Sequence, residues 1–237
     1  MEYGLEESDR GQRWGFGVQD SGEQFARKRL AILRTAARLF NQRGYYGTSL
    51  DQLARELKVT KPSLYYYVES KDDILVQILN VGMQKIDPAI SKTKSKREGR
   101  NGLEKLRLFV RQYILVMTEE FGKCMVISGL APLQPESRDK LLPAYRRIDR
   151  AVRGMIREGI RDGSIASCYP KMAAFALFGA MHLIPYWYRA DGQLRPEEIA
   201  EAQLALFENG PKPARAPGRG AGAAAPRLKT VDKLSDK

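Results

Sequence analysis

Between residues 25 and 209 apolar side chains return every three or four positions, and nowhere do they alternate one by one. That spacing lays an apolar stripe along one side of a helix and cannot line one side of a strand. No Asn-Gly or Asp-Gly pair sits between two strand-like segments, so the pattern predicts an all-α fold. A first helix is expected over 25–43, with Ala26, Leu30, Leu33, Ala37 and Phe40 on its inner side and Gly44 as its stop. A short helix over 49–58 follows. Ser49 and Gln52 have the spacing of a capping box, and Leu50, Leu53, Ala54 and Leu57 face inward. After Val59-Thr60 a second short helix spans 61–68, with Pro62 tolerated in its first turn. Ser70 then caps a helix that buries Ile74, Leu75, Ile78 and Leu79.

Two short helices joined by a few residues, the second rich in hydrogen-bond donors, form a helix-turn-helix. One helix fits the major groove, the other braces it, and flanking donors grip phosphates. The charge agrees with this placement. The formal excess of +12 calls for a polyanionic partner, either nucleic acid or a membrane surface. Residues 25–80 carry 10 basic and 5 acidic groups and residues 81–107 carry 8 and 3, whereas residues 108–210 carry 13 and 12. The last 27 residues, 211–237, add 7 basic and 2 acidic groups in a Pro-, Gly- and Ala-rich stretch predicted to stay disordered.

The run 44–75 resembles the TetR family of bacterial transcriptional regulators. The resemblance rests on the Gly44-Tyr45 helix end, the Thr48-Ser49 cap, Leu53-Ala54 and the Val59-Thr60-Lys61 turn, followed by Ser63-Leu64-Tyr65, Ser70-Lys71 and Ile74-Leu75. Val68 stands where the family usually has Phe under the recognition helix. The resemblance implies DNA contacts from Thr60, Lys61 and Ser63 at the start of the recognition helix, from Tyr65 and Tyr66 along the backbone, and from Lys71 and Thr48 to phosphates. Tyr65, Tyr66 and Tyr67 point about 100° apart on a helix, so at least one must face outward.

Five further helices are expected over 103–121, 123–131, 137–161, 170–188 and 196–209, with Pro170 and Pro196 at helix starts. They complete the nine-helix, two-domain architecture that the resemblance implies. Its parts are an N-terminal arm (1–24) expected to be disordered, a helix-turn-helix domain (25–70), a ligand-binding and dimerisation bundle (71–210) and the basic tail (211–237). Residues 172–188 are uncharged and apolar on every side, which calls for burial from several directions. At 17 residues they sit at the lower limit of a membrane span and are read as a buried helix. The small residues Ala173, Ala176 and Ala180 allow close helix approach. The resemblance implies that the last two helices form a four-helix dimer interface, here with Leu183, Trp187, Leu204 and Phe207 as well. Candidate effector-pocket residues are the inward aromatics and methionine Phe109, Tyr113, Met117, Phe121, Phe175 and Phe178, together with His182. Core packing is the more frequent role of such residues.

Arg146, Arg150, Arg153, Arg157 and Arg161 make a row more typical of a solvated face than of a phosphate site. A single histidine and two cysteines, Cys124 and Cys168, support neither a metal site nor a Ser/His/Asp triad. No cofactor motif is present, so an enzyme using the helical pocket and a basic membrane-surface or partner-binding protein are the rival readings. Residues 1–24 have no apolar stretch after a basic start, so no export signal and a cytoplasmic location are expected.

Residues 186–192 and 195–200 carry a second, shorter resemblance, to a TetR branch regulating lipid, steroid-ring and fatty-acid catabolism. Many of its members sense acyl-CoA thioesters. The implied function is a homodimeric repressor on a pseudo-palindromic operator, released by a small hydrophobic effector with acyl-CoA among the candidates.

Overall fold

The computed structural model describes residues 22–92 and 101–209 of the 237. The expected N-terminal arm, apart from its last few residues, and the expected basic tail lie outside the described residues. Nine helices and no strand occur among the described residues: α1 (Gly22–Arg43), α2 (Leu50–Glu56), α3 (Lys61–Tyr65), α4 (Lys71–Lys92), α5 (Gly102–Thr118), α6 (Glu120–Ile127), α7 (Pro135–Asp162), α8 (Pro170–Trp187) and α9 (Pro196–Asn209).

The local signals act as expected where they are chemical. Ser49 caps α2 and the full capping box with Gln52 forms. Thr60 caps α3 and accepts a hydrogen bond from the Ser63 amide. Gly163 takes the left-handed conformation (φ 79°) that ends α7. Boundaries set by packing differ from the sequence pattern. The expected helix 103–121 stops at Thr118, because Glu119 is extended and starts α6, which then runs through Phe121 to Ile127. The second short helix ends at Tyr65 rather than at 68. In α1, Ala26 and Leu30 are exposed and the buried stripe begins at Ile32. Pro185 is accommodated two residues before the end of α8.

Helix α5 is the centre of the bundle and packs against α4, α6, α7, α8 and α9. The helix-turn-helix is joined to this body through α1, which packs on α4 and α6. One buried cluster runs from Ile32 and Phe40 in α1 through Ile74, Ile78 and Ile86 in α4 to Phe109, Ile114 and Met117 in α5. Val68 is buried in that cluster, so the smaller residue still fills the position under α3.

The start of α5 lies against the end of α7. A Cβ added to Gly102 would stand 2.0 Å from the Gly159 amide nitrogen. The free amides of this first turn are satisfied across the contact and by the local cap. Gly102 N–H donates to Asp162 Oδ2 (2.7 Å), Leu103 N–H to Ser164 Oγ (3.2 Å) and Glu104 N–H to Asn101 Oδ1 (2.9 Å).

Candidate DNA interface and effector core

The residues expected at DNA divide by direction. Thr60, Lys61, Tyr65 and Tyr66 are exposed on or beside α3. Lys61 pairs with Asp51 of α2 at 3.1 Å, with both side chains about half exposed. Such an exposed pair is worth at most about 1 kcal/mol, so a phosphate can take its place. Tyr66 forms edge-to-face contacts with Phe25 and with Tyr67, which hold its ring while leaving it 60% exposed. Tyr46, on the turn after α1, is 81% exposed and escaped the sequence reading, because its neighbour Tyr45 carried the pattern.

Thr48, Ser63 and Lys71 have inward tasks. Thr48 is buried and its hydroxyl donates to the Gly44 carbonyl at 3.0 Å, so the expected phosphate role does not fit that hydroxyl. Ser63 is buried, and its hydroxyl lies 2.6 Å from the Thr60 hydroxyl, inside the cap of α3. The Lys71 ammonium donates to the carbonyls of Tyr45 and Thr48, both at 2.9 Å, and lies 4.2 Å from the centre of the Tyr45 ring. Burial lowers its pKa from the usual lysine value. Lys71 thus ties the start of α4 to the turn before α2 and fixes the angle at which the helix-turn-helix is held.

Within the bundle, Phe109, Tyr113, Met117 and Phe121 are buried along α5 and into α6. Phe178 and His182, one turn apart on α8, close against them. Ring centres are 5.3 Å apart for Phe109–Tyr113, 5.6 Å for Tyr113–Phe178 and 5.7 Å for Phe178–His182. The Tyr113 hydroxyl lies 2.7 Å from His182 Nε2. Six of the seven expected pocket residues are therefore brought together or lie along one continuous buried stripe. Phe175 is a correction. It is half exposed on the far side of α8, with Lys171 and Arg153 over its ring. The helix buries Ala174, Leu177, Met181 and Ile184, which turns position 175 outward.

Burial holds His182 below the ordinary histidine value of 6.5. On acidification the unfolded chain therefore takes up this proton before the folded chain does, and stability falls as pH drops below about 6.5. His182 is the sole histidine. Thermal unfolding should show a decline in Tm between pH 7 and 5 that His182→Gln flattens. An unchanged slope in that variant would remove His182 as its source. Carboxylates such as Asp162, held below 3.8 by hydrogen bonds from Ser164 and Gly102, act only in more acidic solution.

The outer side of α8 stays apolar. Phe175, Ala176, Ala180, Leu183, Tyr186 and Trp187 are exposed, as is Leu206 of α9. Of the expected interface, Ala176, Ala180, Leu183 and Trp187 lie on this surface, whereas Ala173 and Phe207 are only partly accessible and pack on the core. Leu204 is a correction. It is buried within the subunit, because α9 turns Ile199, Ala200 and Leu204 toward the body, and Leu206 takes the outward place.

The arginine row of α7 is spread over different surroundings. Arg153 pairs with Asp149 at 2.8 Å, while Arg150, with Arg147, lines an open cleft of about 410 Å³ beside Asp87, Ile90, Ser91 and Ala151. Cys124 is buried and its thiol is pushed up to about 12, which keeps it protonated and unreactive. Cys168 is exposed. Among the described residues no group of three His, Cys, Asp or Glu is placed to hold a metal ion, and no helix is long and apolar enough to cross a membrane.

Comparison with known proteins bears on both halves of the chain. Residues 32–78 match the family described as bacterial regulatory proteins, tetR family, and residues 99–210 match the tetracyclin repressor-like C-terminal domain. The HTH-type transcriptional regulator YuxN of Bacillus subtilis is 29% identical over 109 residues, which are 46% of this chain and 38% of YuxN. The chain thus spans well under two thirds of that relative. Two solved structures are similar over most of their length. PfmR, a TetR family regulator from Thermus thermophilus, has 29% identity and a TM-score of 0.68, covering 77% of this chain and 99% of PfmR. AibR in complex with isovaleryl coenzyme A and operator DNA has 28% identity and a TM-score of 0.68, covering 76% and 98%.

Proposed function

We propose the function from this premise: the chain belongs to the TetR family of DNA-binding transcriptional regulators. In our reading it is a homodimeric repressor in the cytoplasm. Residues 25–70 read a pseudo-palindromic operator, and residues 71–210 dimerise and bind a small hydrophobic effector that releases the DNA. The observation that carries the DNA half is the outward row Thr60, Lys61, Tyr65 and Tyr66 on a doubly capped helix pair. Donors and aromatic rings face solvent there, where a helix enters the major groove. We add Tyr46 as a phosphate contact, and give Thr48, Ser63 and Lys71 positioning roles in this interface.

The effector half is supported by the Phe109–Tyr113–Phe178–His182 cluster and by AibR, whose complex holds an acyl-CoA and operator DNA. These rings are packed on one another, so an effector that enters must part them. Its binding then differs between two arrangements of the bundle, which is what coupling to DNA release requires. We extend the acyl-CoA class of effector to this chain on that support, within lipid, steroid or aromatic catabolism.

The test is DNA binding by fluorescence anisotropy at several salt concentrations. Lys61→Ala should weaken operator binding roughly tenfold, on the scale of 1–3 kcal/mol for a base contact, or lower the salt slope by about one if it grips phosphate. Tyr66→Ala should also weaken binding without changing Tm by more than a few degrees. Unchanged affinity in both variants would move the interface away from α3.

A further inference from the structure

The interior of the bundle contains a hydroxyl that the protein leaves without a partner. Tyr145 of α7 packs against the core, and its OH is sealed from solvent with no hydrogen bond among the described residues. Its polar surroundings are already committed. The Tyr113 hydroxyl is engaged with His182 Nε2 at 2.7 Å, and the Cys124 thiol donates to Ser128 Oγ at 3.6 Å. Tyr145 packs on the buried cluster that contains Tyr113 and Cys124, and among the described residues no charged side chain is buried in that cluster. Phenylalanine would fill the same space without a buried hydroxyl, and buried donors are rarely left unpaired.

We propose that the Tyr145 hydroxyl is the donor that receives the effector, and that the effector presents an uncharged acceptor, an ester, thioester or ketone carbonyl, on an apolar skeleton. This rests on the effector reading above and narrows it. A hydrocarbon would leave the donor unsatisfied. A carboxylate would bring a charge into a core that buries no cation among the described residues and where burial disfavours the charged form of His182, and burying an unpaired charge is far more costly than burying a carbonyl that gains a hydrogen bond. A thioester meets the requirement and its parent acid does not.

The experiment is calorimetric titration of the full chain and of Tyr145→Phe with isovaleryl-CoA, decanoyl-CoA, ethyl decanoate and decanoate, with free CoA as reference. In the wild type at least one ester or thioester binds, and decanoate binds at least about tenfold more weakly than ethyl decanoate. Tyr145→Phe weakens the bound ester or thioester about tenfold, the scale of one neutral hydrogen bond. The same variant without probe keeps its Tm or gains a little, since it removes an unpaired buried group. Equal affinity in wild type and variant, decanoate binding as well as the ester, or a lowered Tm of the free variant overturns the proposal and leaves the effector reading standing. If no probe binds the wild type while operator binding is intact, the effector reading falls with it.

Discussion

Leu183→Glu should convert the protein into folded monomers and weaken operator binding by about a hundredfold or more. Leu183 is 61% exposed on α8, between Ala180 and Trp187 on the apolar outer surface of the second half of that helix. Within one subunit the substitution removes little packing, so the circular dichroism spectrum should stay helical and Tm should change little. In a two-fold dimer the same patch meets its copy, and every substitution appears twice. Two glutamates would be desolvated in an apolar contact, each without a cation to pair with. Operator affinity falls because two linked half-site contacts gain from effective concentration and separate ones do not. Sedimentation velocity reads the first effect and anisotropy the second. A variant that remains dimeric would place the interface elsewhere on the molecule.

Gly102→Ala should be strongly destabilising for a change of one methyl group. The added Cβ would lie 2.0 Å from the Gly159 amide nitrogen, 2.4 Å from its Cα and 2.6 Å from the Met155 carbonyl. These are backbone atoms, so no rotamer change relieves the clash, and the start of α5 must move off α7. Moving it also loosens the bonds of Gly102 and Leu103 to Asp162 and Ser164. Overpacking costs about 1–3 kcal/mol and backbone contacts lie at the upper end. At about 2–4 °C per kcal/mol for a chain of this size, Tm should fall by roughly 10 °C. As a control, Gly154→Ala on α7 meets nothing within 4 Å and should leave Tm unchanged or slightly raised. Equal Tm values for the two variants would show that the α5–α7 approach is looser than described.

The parts of the fold that follow from local chemistry were legible in the sequence. Ser49 with Gln52, Thr60 before Pro62, and Gly163 after Asp162 each announce a helix end through groups close in the chain. The all-helical class followed from the apolar spacing in the same way. What was not legible depends on which way a helix is turned. Helix α8 is apolar all round, so its sequence carries no sign of which side meets α5, and only the packing shows that Ala174 rather than Phe175 holds that side. Leu204 and Leu206 of α9 are two residues apart and point to opposite sides of the helix, and only the packing that buries Ile199 and Ala200 decides which of them lies inside. Lys71 shows the same limit for a charged group. Near a helix start it reads as a phosphate ligand, and only the fold brings the Tyr45 and Thr48 carbonyls to its ammonium. The break at Glu119 is likewise set by tertiary packing, since residues 103–121 keep helical spacing throughout.

The central claim is that two copies of this helix-turn-helix read one DNA site together. Selection of duplexes from a randomised pool by the purified protein at moderate salt tests it most directly. The account predicts enrichment of an inverted repeat whose half-site centres lie one helical turn, about 34–36 Å, or a multiple of it apart. Recovery of no preferred sequence, or of a single half-site without its inverted partner, would contradict it.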